Sequence, residues 1–160
     1  MKKIVSFVLS MVLLFGCMNL PVRAEETVYP TVYHTYTATE DFASDEWSTA
    51  LRGAYLLSGT SSIARASGNY INISGATTAT RTCDKIRLTL YVERSTSYAT
   101  GYGTYRTFSY SADNVYQLAK EISSIPVERG YYYRVTGVHS VTKGSTTETT
   151  NSVTNPISYI

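Results

Sequence analysis

Two histidines are the residues best suited to acid–base chemistry in this chain of 160 residues. His34 and His139 stand apart from each other, and no nucleophile elbow, metalloprotease motif or paired-cysteine motif occurs in the sequence. His139 shares the alternate positions of Tyr133, Val135 and Val141, which predicts a hydrogen-bonded histidine that faces the core. We therefore expect a non-catalytic binding module, with a self-associating surface protein as the first alternative and a secreted hydrolase after it.

Carboxylates offer the other possible acid–base pair. Glu40-Asp41 and Asp45-Glu46 lie close together in the sequence, but adjacent acids more often form a solvated face than a catalytic pair. The sequence contains no zinc motif, calcium loop or glycine-rich phosphate loop. We expect neither a metal ion nor a cofactor.

Tyrosine is unusually frequent, with 15 copies in the chain. Trp47, Tyr98, Tyr102 and Tyr105 are expected on exposed segments, where flat rings with polar groups could stack on sugars. The same rings could form a protein-binding face. Aromatic residues also pair across strands, and this structural role is the stronger alternative. These four side chains are the candidate binding residues for an extracellular glycan, a cell-wall component or a protein.

The amino terminus has the three parts of a signal peptide. Lys2 and Lys3 precede the apolar run 4–15, and Val22 and Ala24 suit the positions before a signal-peptidase site. The apolar run is too short to cross a bilayer comfortably, so we expect no permanent membrane span. The sequence thus predicts a signal peptide over residues 1–24, cleavage between Ala24 and Glu25, and a secreted protein.

A second processing route is also open. Leu14, Phe15, Gly16 and Cys17 resemble a bacterial lipobox, in which the cysteine is acylated and becomes the first residue. This route would tether the protein to the outer face of the cytoplasmic membrane instead of releasing it.

Charge and cysteine content change once the signal peptide is removed. Residues 1–24 carry three basic residues and no acid, so the net charge falls from +2 to −1. Such a chain lacks the clustered positive charge that binding to nucleic acid requires. Cys83 is then the only cysteine, which excludes an internal disulfide and predicts a small buried side chain.

Strand patterns dominate the rest of the chain. The clearest is in 85–94, where Ile86, Leu88, Leu90 and Val92 alternate with polar residues and predict one buried face. Four further segments show extended patterns bounded by turn residues: 70–74, 104–111, 131–143 and 146–153.

Two segments have a different spacing. Val115, Leu118, Ala119 and Ile122 follow the period of a helix, so residues 113–122 are expected to form a short helix, with a strand as the alternative. In 41–51, Trp47 and Leu51 are four residues apart, which indicates a helical turn.

The spacing of the strands predicts the fold class. Strands about ten residues apart with turns between them are typical of an all-β protein built as a single antiparallel β-sandwich. The tyrosines of 131–133 after Gly130 are similar to the penultimate strand of immunoglobulin-like domains. We expect a sandwich domain over residues 51–160, preceded by a linker or edge segment over 25–50. The oligomeric state stays open, and edge strands rich in threonine and tyrosine could also self-associate.

Several short sequences carry a family resemblance, which covers roughly residues 51–157. They are Ser67-Gly68-Asn69, Cys83-Asp84-Lys85-Ile86, Leu90-Tyr91-Val92-Glu93-Arg94 and Arg129-Gly130-Tyr131-Tyr132-Tyr133-Arg134-Val135. Together they resemble a small uncharacterised secreted family of Gram-positive, clostridia-like bacteria that is catalogued only as a domain of unknown function. The resemblance implies export, a bacterial source and an all-β domain, and it carries no catalytic residue over to this chain.

Overall fold

The computed structural model describes residues 32–49 and 55–160, and all the regular structure in these ranges is β. The strands are β1 (Val32–Ala38), β2 (Phe42–Thr49), β3 (Leu56–Ala66), β4 (Tyr70–Ser95), β5 (Gly103–Pro126), β6 (Tyr131–Lys143), β7 (Thr146–Val153) and β8 (Ile157–Tyr159). The prediction of an all-β protein is confirmed. In these ranges there is no helix with the length and apolarity needed to cross a membrane.

The eight strands belong to one antiparallel sheet. Its order is β1-β2-β3-β4-β6-β7, with β5 paired to β4 and β8 paired to β6. The sequence led us to expect a sandwich with an immunoglobulin-like arrangement, which the structure does not confirm. The hydrogen-bonded ladder continues through β4 from one half of the molecule to the other, so the sheet curls like half a barrel.

The long strand β4 produces the curl. Its first part, 70–79, pairs with β3, and its last part, 85–95, pairs with β6, while β5 follows it along most of its length. The register with β5 shifts between Thr78 and Cys83, and there the strand bends. The two halves of β4 then face each other, since a Cβ added to Gly75 would lie 2.7 Å from Leu90 Cδ2.

The core lies between the facing halves of the sheet. The four aliphatic residues Ile86, Leu88, Leu90 and Val92 are fully buried, which confirms the predicted inner face of this segment. Each buried aliphatic side chain stabilises the fold by about 1.5–3 kcal/mol relative to an exposed one.

The predicted helix over residues 113–122 is wrong, because this segment is part of strand β5. Asn114 and Ser124 have positive φ angles of 57° and 58°, and each residue interrupts the regular alternation of the strand. Together with the register shift opposite residues 115–117, these interruptions place inward positions at Val115, Leu118 and Ile122, which imitates a helical period. Pairing with β4 satisfies the backbone hydrogen-bonding groups along one edge of this segment.

The amino-terminal segment is also extended. Residues 42–49 form β2 between β1 and β3, so the helical turn expected over 41–51 is wrong for the residues that the structure describes. The segment for which a linker and an edge strand were both open contributes two strands, and β1 is an edge of the sheet among the described strands. The predicted signal peptide, with Cys17 and the predicted Ala24–Glu25 cleavage site, lies outside the described residues.

Candidate binding surface

The bends in β4 and β5 bring the two ends of each strand to the same end of the molecule. Tyr70 pairs with Pro126, and Arg94 pairs with Gly103, so all four strand ends lie there. The Tyr105 hydroxyl donates a hydrogen bond of 3.1 Å to the Pro126 carbonyl and joins the start of β5 to its end. We call this the tyrosine end, and its connections are 67–69, 96–102 and 127–130.

A buried tyrosine organises the interior of the tyrosine end. Tyr133 is fully buried, and its ring has edge-to-face contacts with Tyr105, Tyr131 and Tyr159 at centroid distances of 5.8, 6.3 and 5.9 Å. Its hydroxyl donates to the Glu128 carbonyl at 3.1 Å and accepts the Glu128 N–H at 2.9 Å. Burial raises the pKa of Tyr133 and keeps the phenol neutral. This cluster fixes the loop that precedes β6.

Three other tyrosines lie beside that cluster, and of these Tyr98 is exposed while Tyr102 and Tyr132 are half-buried. Tyr98 has 57% of its surface exposed, and its ring meets Tyr132 edge-on at 5.5 Å. The Tyr102 hydroxyl donates to the Tyr98 carbonyl at 2.9 Å, which braces the loop between β4 and β5. We call Tyr98, Tyr102 and Tyr132 the tyrosine patch. Its rings are held in place before any ligand arrives.

Polar groups border the tyrosine patch. The Arg134 guanidinium lies over the Tyr102 ring, 4.1 Å from its centroid, and its Nε donates to Glu93 Oε2 at 2.7 Å. The Thr136 hydroxyl donates to the same carboxylate oxygen at 3.1 Å. The patch thus joins aromatic rings to a fixed guanidinium, carboxylate and hydroxyl, the set that can stack on a sugar and hydrogen-bond to its hydroxyls.

The structure separates the four predicted binding residues. Tyr98 and Tyr102 lie in the tyrosine patch, whereas Tyr105 packs against buried Tyr133 as a structural residue. Trp47 lies on β2 opposite Gly59, half-buried against the core, and is not part of the patch.

Sequence reasoning missed three members of this surface. Tyr132 and Arg134 occupy the outward positions of β6, and Glu93 occupies an outward position of β4 directly opposite Arg134. The alternation of apolar and polar residues in 85–94 and 131–143 indicated that these three side chains point outward. The pairing of the two strands, which brings them together, was not visible in the sequence.

His139 lies in a buried polar network away from the tyrosine patch. Its Nδ1 is 3.0 Å from the Thr77 hydroxyl and its Nε2 is 2.8 Å from the Ser152 hydroxyl, which is 2.7 Å from the Ser61 hydroxyl. The residue is fully buried, which confirms the predicted core-facing histidine. Burial lowers the pKa of His139 to about 4, so the ring is neutral at pH 7.

Glycine makes room for this ring. A Cβ added to Gly59 would lie 2.4 Å from His139 Cδ2, and one added to Gly137 would lie 2.7 Å from His139 Nε2. With two hydroxyl partners and two glycines around it, His139 has the surroundings of a structural residue.

The remaining candidates for chemistry are structural in the described part of the chain. Cys83 is a buried free thiol, as predicted, and burial raises its pKa, which makes it a poor nucleophile. Asp45 is buried and accepts a hydrogen bond of 2.7 Å from the Val153 N–H. Its Oδ1 also lies 3.1 Å from His34 Nδ1. Among residues 32–49 and 55–160, no three His, Cys, Asp or Glu side chains are grouped as metal ligands.

Comparison with known proteins assigns the chain to a family. A family model described as a family of unknown function (DUF6147) matches residues 22–157, which is most of the chain. No curated protein matches the chain. The chain therefore belongs to DUF6147, a family of unknown function.

Proposed function

We propose that the protein is a secreted, non-catalytic module that binds an extracellular glycan through the tyrosine patch. The observation that carries the proposal is the exposed Tyr98 ring, fixed at 5.5 Å from Tyr132 in a loop braced by Tyr102. Rings that are already ordered lose little conformational entropy when a ligand stacks on them. A cell-envelope polymer and a surface protein are the alternative ligands, and either would bind the same rings.

The border of the patch supports a glycan in particular. A sugar ring has apolar C–H faces and many hydroxyls, so it needs an aromatic ring and planar polar partners side by side. Arg134, Glu93 and Thr136 supply donors and acceptors next to Tyr102. The surroundings of His139 support a role without catalysis, because both of its ring nitrogens already have buried partners.

Export belongs to the same proposal. The charged start, apolar run and small residues before Glu25 support cleavage after Ala24, and acylation of Cys17 is the alternative, with the protein held at the outer membrane face. The net charge of −1 after cleavage argues against nucleic acid as the partner. The two halves of β4 face each other, which supports packing of the sheet in two layers. A sandwich also packs in two layers, so this observation supports the proposed sandwich architecture.

Cosedimentation tests the proposed binding. The protein is mixed with insoluble bacterial cell-wall sacculi and with glycans immobilised on beads, and the retained fraction is measured over a range of concentrations. We expect saturable retention that weakens at least about tenfold in Tyr98→Ala/Tyr132→Ala, because two central aromatic contacts are lost.

Tyr116→Ala is the matched control. Tyr116 is 60% exposed but lies next to the bend of β5, away from the tyrosine end, so its loss should leave retention unchanged. Circular dichroism verifies that each variant is folded. Equal retention of the patch variant and the wild-type protein would show that the tyrosine patch is not the binding surface.

A second candidate function is self-association through β5. This strand has 24 residues and pairs with β4 alone among the described strands, so its other edge has backbone groups available to another strand. The stretch 107–112 carries no charge that would repel an identical strand.

Sedimentation velocity tests self-association over a wide concentration range. A dimer that Ser111→Lys dissociates, by placing like charges on the exposed edge, would support the β5 interface. A monomer mass at every concentration would exclude it.

A further inference from the structure

Five arginines lie at the tyrosine end, and three of them are paired with carboxylates. The ion pairs are Arg65–Asp41 at 2.7 Å, Arg94–Glu128 at 2.9 Å and Arg134–Glu93 at 2.7 Å. Each pair brings opposite charges together, so these three arginines contribute little net positive charge to the surface.

The other two arginines have no carboxylate partner among the described residues. The Arg106 guanidinium lies 5.2 Å from the centroid of the Tyr105 ring, and Arg129 Nε donates to Asn69 Oδ1 at 3.3 Å. Both residues are exposed, and guanidinium stays charged at any physiological pH. Most of their N–H donors are therefore available to a ligand.

Tyr105 joins the two segments that carry these arginines. This ring lies under the Arg94 guanidinium at 4.6 Å, and its hydroxyl bonds to Pro126, from which the chain continues to Arg129. Arg106 thus contacts the cluster beside which the tyrosine patch lies, and Arg129 lies in the connection that begins next to it.

A small depression lies next to Arg129. Its volume is about 90 Å³, which is enough for one carboxylate or phosphate group. It is lined by Arg65, Gly68, Asn69, Arg129, Tyr159 and Ile160. Two guanidinium groups therefore lie on its walls, and only Arg65 has an acidic partner among the described residues.

We propose that the ligand is an acidic glycan polymer, whose negative groups bind Arg106 and Arg129 while its sugar units stack on the tyrosine patch. The inference rests on the proposed function and specifies its ligand class. Planar guanidinium groups bind carboxylate and phosphate in the same bidentate manner, so either group satisfies the chemistry. Glu40, an exposed acid in the turn between β1 and β2, limits how much anionic charge this end accepts.

Binding titrations with three polymers separate the effect of the ligand's charge from the effect of its backbone shape. Polygalacturonate carries a carboxylate on each sugar, fully methyl-esterified polygalacturonate has the same backbone without charge, and phosphorylated dextran carries phosphate on sugar units. We expect the full-length protein to bind at least one acidic polymer about tenfold more tightly than the ester, and about 0.5 M salt to remove most of that difference. The preferred acidic polymer identifies the anionic group.

Paired variants test which arginines provide the preference. Arg106→Gln/Arg129→Gln should weaken binding of the acidic polymer about tenfold and leave binding of the ester unchanged. Arg81→Gln/Arg87→Gln removes the same charge from exposed arginines of β4 outside the tyrosine end and should have little effect. Equal affinity for acidic and esterified polymers, or equal losses in both double variants, would overturn the inference.

The outcomes also separate this inference from the proposed function. If Tyr98→Ala/Tyr132→Ala loses all retention while the Arg106/Arg129 variant keeps its acidic preference, the tyrosine patch binds the ligand and the assignment of Arg106 and Arg129 to its anionic groups is wrong. If the arginine variant loses binding and the tyrosine variant does not, the acidic ligand stands and the stacking surface is wrong.

Discussion

His139 shows how a residue suited to catalysis becomes part of the core. The ring lies between Thr77 and Ser152, with Gly59 leaving space above it. A fully satisfied buried network of this kind favours one arrangement of strands, because any other arrangement would leave a buried donor or acceptor without a partner. The alternation in 131–143 was enough to predict that this histidine faces inward, but its partners lie on other strands and could not be read from the sequence.

Acid should destabilise the protein through His139. The pKa of about 4 in the folded protein lies below the 6.5 of the unfolded chain, so only the unfolded chain takes up the proton as the pH falls from 6.5 towards 4. The free energy of unfolding should therefore decrease over this window by up to about 3 kcal/mol, since one pKa unit corresponds to about 1.4 kcal/mol. Urea denaturation at a series of pH values measures this decrease.

His139→Gln is the control for the acid effect. Glutamine keeps hydrogen-bonding capacity and does not titrate, so the variant should be less stable at pH 7 but nearly independent of pH between 6.5 and 4. An unchanged pH dependence in this variant would assign the acid sensitivity to other groups.

At the scale of elements, the sequence predicts which face of a strand is buried better than it predicts how long the strand is. Alternating aliphatic residues in 85–94 gave the inner face correctly, yet the strand to which they belong is the much longer β4. The reason is the bend, where the buried positions change from odd numbers such as Ile73 to even numbers such as Ile86. The strand pattern therefore appears as two short segments, and the register shift between Thr78 and Cys83, opposite residues 115–117, gives β5 a false helical period.

The inner face of β4 provides a direct comparison of two neighbouring residues. Leu88→Ala should lower the free energy of unfolding by about 2–5 kcal/mol, because Leu88 is fully buried and its removal leaves a cavity. Thr89→Ala removes an outward side chain, which contacts the Ser109 hydroxyl at 3.2 Å, and should cost less than about 1 kcal/mol. Urea denaturation measures both. Similar losses in the two variants would show that the inner face has been assigned incorrectly.

At the scale of the whole molecule, the tyrosine end is assembled from segments far apart in the chain. Tyr98 and Tyr102 come from the loop between β4 and β5, while Tyr132 and Arg134 come from β6. Abundant tyrosine and the loop position pointed to Tyr98 and Tyr102. The fold alone brings Tyr132 to them, which is why sequence reasoning grouped the patch with Tyr105 and with Trp47 on β2 instead.

The intact mass of the exported protein tests the predicted signal-peptide cleavage directly. Expressed in an exporting bacterium, the protein should have an intact mass that starts at Glu25, because Ala24 provides the small residue that signal peptidase requires. Ala24→Tyr should block this cleavage, and Cys17→Ser should leave it unchanged. A mature protein that begins at Cys17 with added acyl mass would instead establish lipid anchoring.

The measurement that tests the central claim most directly is amide chemical-shift mapping with a soluble fragment of the polymer that retains the protein. If the tyrosine patch is the binding surface, the shifts that change on titration should be concentrated in 95–102 and 131–136. Saturation of those shifts together would give one dissociation constant for one site. Changes confined to the β5 edge at 107–112, or to the turn at 144–145 at the other end of β6, would contradict the assignment of binding to the tyrosine patch.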